Sequence, residues 1–137
     1  MKKADGIILA SPVYFAGING SLKSFLDRAG YALSQTPGVL RYKVGMGLVV
    51  LRRTGGMTAL NELNQYIQAF EMITPSSSYW NVMYGMRRKQ VPEDVEGQQI
   101  MQTLGKNMAW LMQVIDLGRK NIPLPAIEEK IFPHLIR

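Results

Sequence analysis

The stretch from Ala4 to Arg28 constrains the fold more than any other part of the chain. Ala4-Asp5-Gly6-Ile7-Ile8-Leu9-Ala10 is an apolar run of strand length. Ser11-Pro12-Val13-Tyr14-Phe15 follows, then the turn-rich linker Ala16-Gly17-Ile18-Asn19-Gly20-Ser21. Leu22, Phe25, Leu26 and Ala29 then recur at helical spacing, with Lys23, Ser24, Asp27 and Arg28 between them. The unit reads strand, loop, amphipathic helix, with Ser11–Phe15 opening the loop. In an open α/β sheet, the loop leaving the carboxyl end of a strand is where ligands bind. Many such loops only connect, so the pattern alone leaves binding and connection both open.

A second strand, loop and helix follow, with no internal sequence repeat. After the loop Gln35-Thr36-Pro37-Gly38, Lys43 to Leu51 is a nearly continuous apolar run. That is the pattern of a parallel strand covered on both faces. Arg52-Arg53-Thr54-Gly55-Gly56 is a second strand-to-helix loop, and Thr58 is a candidate helix cap. Leu60, Leu63, Ile67 and Phe70 mark the next apolar stripe, joined by Tyr66. Met72-Ile73-Thr74-Pro75 is a weak strand, and Ser76 to about Gln90 reads as irregular. The last helix is the best defined. Pro92, Glu93, Asp94 and Glu96 suit its start, and Ile100, Leu104, Met108, Leu111 and Ile115 form its stripe. Arg119 and Lys120 suit its end, with Gly118 and Pro123 as stop signals. Strands alternating with helices imply a parallel sheet and right-handed crossovers. The order is β-α-β-α-β-α in a single domain over 1–137, with 121–137 as a C-terminal tail.

Composition narrows the chemistry. The apolar fraction of 47% and charged fraction of 19% are those of an ordinary globular domain. There is no cysteine, which excludes disulfides, thiolate nucleophiles and an iron–sulfur cluster held by this chain alone. Cysteine absence agrees with a cytoplasmic location. The longest apolar run, around Leu48-Val49-Val50-Leu51, is too short to span a bilayer. The net charge of +6 fits phosphate-bearing cofactors as well as nucleic acid. Its basic residues are scattered, at Lys2-Lys3, Arg52-Arg53, Arg87-Arg88-Lys89 and Arg119-Lys120, with no nucleic-acid module among them. Ser11 lacks the nucleophile-elbow context of a hydrolase, and His134 has no local carboxylate partner. Glu93, Asp94 and Glu96 read as helix-start charges, so no metal site and no acid–base catalytic residue is assigned.

The segment Ala4 to Phe15, continuing through Gly20-Ser21-Leu22-Lys23-Ser24-Phe25-Leu26-Asp27-Arg28, closely resembles the flavodoxin-like NAD(P)H-dependent oxidoreductases. The branch is that of the NADPH-dependent FMN reductases and iron–sulfur flavoproteins. The resemblance runs on through Arg52-Arg53-Thr54-Gly55-Gly56, Ser78-Tyr79-Trp80-Asn81 and Leu104-Gly105-Lys106-Asn107-Met108-Ala109-Trp110, nearly the whole chain. It implies a three-layer α-β-α, flavodoxin-like parallel sheet. A complete domain of that kind begins with a strand and a phosphate-binding loop that precede the Ser-Pro-x-Tyr strand. The chain is therefore read as N-terminally incomplete, starting at the third strand, and is expected to hold FMN poorly on its own.

By that resemblance, Ser11, Pro12, Val13, Tyr14 and Phe15 border the FMN ring, together with Arg52, Arg53, Thr54, Gly55 and Gly56. Gly55 is expected to accept a bulky side chain with loss of flavin but not of fold. Ser78, Tyr79 and Trp80 are read as pocket wall or subunit interface. The implied function is FMN-dependent NAD(P)H oxidoreduction, with hydride passing from NAD(P)H to FMN and on to a quinone, flavin or other small-molecule acceptor. A homodimer or homotetramer is expected, with Tyr79, Trp80, Trp110 and Ile131-Phe132 as contact candidates and no membrane association. Two other readings are kept: a truncated, non-catalytic binding or oligomerisation module, and a basic nucleic-acid-binding protein.

Overall fold

The computed structural model describes residues 1–129 and 131. Strand β1 runs Gly6–Tyr14 and β2 Gly17–Ile18, followed by helix α1 at Gly20–Ser34. Strand β3 is Val44–Leu51, helix α2 Gly56–Ala69, strand β4 Val82–Tyr84 and helix α3 Val95–Asn121. A 3-10 turn at Val91–Glu93 leads into α3. The sheet order is β2-β1-β3-β4. β1 and β4 both pair in parallel with β3, from Gly6↔Val44 to Pro12↔Val50 and from Val49↔Val82 to Leu51↔Tyr84. This is a three-layer α/β domain of flavodoxin-like type, with α1 and α2 on one face and α3 on the other.

Strand alternation explains the layers. Ile7, Leu9, Val49 and Leu51 point to one face, where they pack with Leu26 and Leu33 of α1 and Ala59, Leu60, Leu63 and Ile67 of α2. α2 approaches β3 closely because Gly45 and Gly47 present no side chain; a Cβ at Gly47 would stand 3.0 Å from Leu63 Cβ. On the other face Val44 and Met46 meet Leu104 and Met108 of α3.

Several expectations change. Ser11–Tyr14 belongs to β1 rather than to a loop, and Gly17–Ile18 in the linker pairs antiparallel with Val13 and Tyr14. Phe25 is 56% exposed, because the buried stripe of α1 is centred on Leu26 and Leu33. Thr58 lies inside α2 and does not cap it: Gly55 is the N-cap, with no side-chain cap bond. Ile73 contributes only an isolated bridge to Val44, while the irregular stretch contains β4. α1 and α3 are capped by side chains, Asn19 accepting from Ser21 and Leu22 N–H and Asp94 from Gly97 N–H. In the tail, Pro125 and Ala126 carbonyls accept from Arg41, whereas Phe132 and His134 lie outside the described residues.

The second face of β1 is open. Ile8 is 52% exposed, whereas Leu9 is only 7% exposed. Among the described residues, the edge of β1 away from β3 pairs only at Val13 and Tyr14. Leu9→Ala should therefore destabilise by about 2–5 kcal/mol in urea unfolding. Ile8→Thr should stay within about 0.5 kcal/mol of the parent. A loss at Ile8 as large as that at Leu9 would show that this face is covered in solution.

α1 and α2 are also tied by a polar cluster. Lys23 Nζ donates to both oxygens of Asp27 at 2.7 Å, and the Tyr66 hydroxyl donates to the same carboxylate. The Lys23 ammonium and then the Tyr66 hydroxyl hold the Asp27 carboxyl below its ordinary range. A depressed carboxyl adds stability above its unfolded pKa, and that contribution disappears as pH falls through the folded value. Asp27→Asn should accordingly lower the melting temperature at neutral pH. The gap to the parent should close on acidification through the carboxylate range, as read by circular dichroism melts.

Candidate functional site

A cavity of about 910 Å³ opens at the carboxyl end of the sheet. Its lining includes Val13, Phe15 and Ala16, then Leu51 and Arg53 to Thr58, then Tyr79, Trp80, Val82 and Tyr84, and finally Asp94, Glu96, Gly97 and Ile100. Four segments far apart in sequence thus meet where parallel strands end, the position at which open α/β sheets bind ligands.

The first wall is a hairpin. Tyr14 pairs with Gly17, leaving Phe15 and Ala16 as a two-residue turn. Both residues have positive φ, 49° and 62°, as a type I′ turn requires. Two polar side chains fix the hairpin from below. Ser11, only 3% exposed, donates to the Pro12 carbonyl and accepts from Asn19 N–H at 2.8 Å. Glu62 of α2 accepts from Ile18 N–H at 3.0 Å.

The second wall is the β3–α2 loop. Gly55 has φ of 87°, and a Cβ there would stand 2.8 Å from Ala16 Cα. The loop and the hairpin tip are therefore in direct backbone contact. No side chain caps α2. Its first-turn N–H groups, at the positive end of the helix dipole, border the cavity beside Arg53.

The third wall is aromatic. Asn81 donates its side-chain amide to the Gly47 carbonyl at 3.0 Å, and its own carbonyl accepts from Val49 N–H. This pins the entry to β4 and sets Tyr79 and Trp80 edge to face, with ring centroids 4.5 Å apart. Both rings remain more than half exposed. The last wall is the start of α3. The Asp94 carboxylate accepts from Tyr84 N–H at 2.7 Å and from Gly97 N–H at 3.0 Å. A Cβ at Gly97 would collide with that carboxylate.

Among the residues singled out from sequence, Val13, Phe15, Arg53, Thr54, Gly55 and Gly56 line the cavity. Ser11, Pro12, Tyr14 and Arg52 are not part of its lining. Ser11 lies beneath the hairpin and spends its hydroxyl on the backbone; Pro12 and Tyr14 point to the opposite face of β1 from Val13. Met57, Tyr84, Gly97 and Ile100 were not predicted as pocket residues. Met57 follows the flagged loop directly, but the other three carried no local signal.

The residues present fit a flat, partly polar ring. The walls are largely apolar and aromatic, free backbone donors sit along one side, and Arg53 adds a cation there. Asp94 is committed to backbone donors, and among the described residues no group of acidic or histidine side chains could hold a metal ion.

Residues 1–86 match the family model of NADPH-dependent FMN reductase. An iron-sulfur flavoprotein of Methanocaldococcus jannaschii is 33% identical over 109 residues, covering 72% of this chain and 54% of the relative. A second iron-sulfur flavoprotein of that organism is 32% identical over 127 residues, covering 84% and 62%. The chain thus spans between about half and three-fifths of these relatives, and its 137 residues include none of the cysteines a thiolate-bound cluster needs. Two solved structures share the fold. One is a flavodoxin, WrbA-like protein from Agrobacterium tumefaciens, with TM-score 0.60, 17% identity and coverage of 87% of this chain and 69% of that one. The other is RosB with a bound riboflavin-phosphate intermediate, with TM-score 0.63, 15% identity and coverage of 99% and 67%.

The contact between Gly55 and Ala16 corrects the expectation that Gly55 tolerates a bulky side chain without harm to the fold. Gly55→Ala should destabilise by about 1–3 kcal/mol, from positive φ and the collision together. Gly105→Ala, in the open on α3, should stabilise by up to about 1 kcal/mol. Chemical denaturation of both variants checks the contrast.

Proposed function

The chain belongs to the NADPH-dependent FMN reductase family, and we propose that it binds the flavin ring of FMN in this cavity and serves NAD(P)H-dependent electron transfer. The observation that carries the reading is the convergence of the hairpin tip, the uncapped start of α2 with Arg53, and the Tyr79–Trp80 pair on one cavity. In this reading the uncapped N–H groups of Gly56 and Met57 would be the donors that hold the polar edge of the ring. The Arg53 guanidinium favours negative charge at that edge. Val13, Leu51 and Val82 give the apolar floor, and Tyr79 and Trp80 exclude water from one side. Flavin, when bound, would supply two-electron acceptance from a reduced nicotinamide and donation to a quinone, a free flavin or another small acceptor. The protein's part is orientation, hydrogen bonding and local charge. A homodimer or homotetramer is part of the proposal, since Trp80 and Trp110 both leave large apolar areas in solvent.

The test is quenching of flavin fluorescence on titration with the chain, followed by anaerobic addition of NADPH. Saturable quenching and bleaching of the flavin absorbance are expected. Arg53→Gln should weaken FMN binding by about tenfold, the loss of one charged hydrogen bond. Quenching without bleaching would leave the non-catalytic binding module as the correct reading. No quenching at all would remove flavin from the account.

A further inference from the structure

A second cavity, of about 860 Å³, lies at the amino end of the sheet, between the last turns of α1 and α2 and the loop that leads into β3. Residues 125–129 lie in it. They follow Ile122, which leaves α3 in extended conformation, and carry the chain from the face of α3 round to the face of α1 and α2. The seat is built for extended backbone. The Arg41 side chain is only 15% exposed, and its Nη1 donates to two successive carbonyls, Pro125 at 2.9 Å and Ala126 at 3.1 Å. Glu71, just past α2, holds the guanidinium by an ion pair at Nε of 2.6 Å, and the Tyr42 ring lies against it with its centroid 4.7 Å from Cζ. A cation this covered is costly unless its donors are used, and two of its bonds go to the tail. Gly38 completes the seat. Its φ is 72°, and a Cβ there would stand 2.6 Å from Ile127 Cδ1, so the missing side chain is what admits Ile127. Tyr42 and Glu71 also have positive φ, 59° and 54°, and Tyr42 N–H donates to the Glu71 carbonyl. Strained residues of this kind cluster at ligand clamps. Here they flank the Arg41 clamp.

We propose that this groove is a docking site for an extended peptide, and that its occupant is the chain's own segment Ile122–Glu129, seated as a strap that ties the end of α3 to α1 and α2. The segment suits the seat. Pro123 and Pro125 fix φ, so little backbone freedom is lost on docking. α3 needs such a tie, because its last fully buried residue is Met108. The turns beyond it are held by partly buried contacts, by Arg119, which donates to the Tyr42 carbonyl at 3.0 Å, and by the strap. The groove lies at the opposite end of the sheet from the cavity proposed for flavin and is independent of that reading.

The test uses the full chain and a labelled peptide of the sequence Ile122–Glu129. Ile127→Lys sets a second cation beside Arg41 and removes the side chain that Gly38 admits, so the tail leaves and the groove stays. By fluorescence anisotropy the peptide should bind Ile127→Lys saturably. It should bind the parent about tenfold or more weakly, since the tethered tail competes at a local concentration of about millimolar. Adding Arg41→Lys keeps the charge opposite Glu71 but loses the fork, and should weaken peptide binding about tenfold. Amide exchange in the last turns of α3 should quicken in Ile127→Lys. Equal peptide binding by parent and Ile127→Lys, or none by Ile127→Lys, overturns the docking site, and this comparison stands even where the double variant fails to fold. Unchanged exchange in α3 overturns the strap. A parent dimer that turns monomeric with Ile127→Lys assigns the seat to a second copy's tail and overturns the intramolecular occupant.

Discussion

Strand β3 is the constraint on which the rest depends. It pairs with β1 on one edge and with β4 and Ile73 on the other, and both of its faces are covered. Such a strand has no solvent face to accept polar side chains, so Val44 to Leu51 contains none. Its glycines let α2 press close on one side, while Val44 and Met46 receive α3 on the other. Because β3 is fixed in register, its carboxyl end fixes where Arg53 to Gly56 emerge. That end also receives Gly85 N–H on the Leu51 carbonyl, so the loops after β3 and β4 leave the sheet together.

The parts legible in the sequence are those governed by periodic burial. β3 was readable because both faces exclude water, and α3 because its caps and its apolar stripe agree. The unread parts are those decided by tertiary contact. Pro12 normally argues against a strand interior, yet it sits near the end of β1 with the edge away from β3 unpaired, where a missing N–H costs little. The hairpin was hidden because Phe15-Ala16 is not a turn dipeptide. β4 has three residues, too few for any period, and is held by Asn81 and by β3 rather than by its own propensity. Phe25 shares helical spacing with Leu22 but lies off the line from Leu26 to Leu33.

The candidate site follows the same division. Phe15, Arg53, Thr54 and Gly55 could be named in advance because the loops after the apolar runs carry the motifs through which the chain resembles its family, and these four line the cavity. Gly97 and Ile100 could not, since α3 is brought to the cavity by tertiary bonds, from Tyr84 N–H to the Asp94 carboxylate and from the Ser77 hydroxyl to the Ile100 carbonyl. Asp94 looked like a helix-start charge, and it is one. Its second oxygen, bonded outside the helix, is what makes it a fastener between α3 and the sheet.

Rigidity and strain in this cavity are two sides of one arrangement. A flat ring gains affinity when the groups that meet it are already in place, because little side-chain freedom is then lost on binding. Three bonds between separate segments hold the walls in place: Glu62 to Ile18, Asn81 to Gly47 and Asp94 to Tyr84. The contact of Ala16 with Gly55 adds a steric stop between the first two walls. Such cross-links let the backbone hold φ values that the tip residues would not adopt alone. The same cross-links explain why the tip can carry an exposed aromatic ring: the fold absorbs the local penalty in β1, β2 and α2, and the ring is left free to face the cavity.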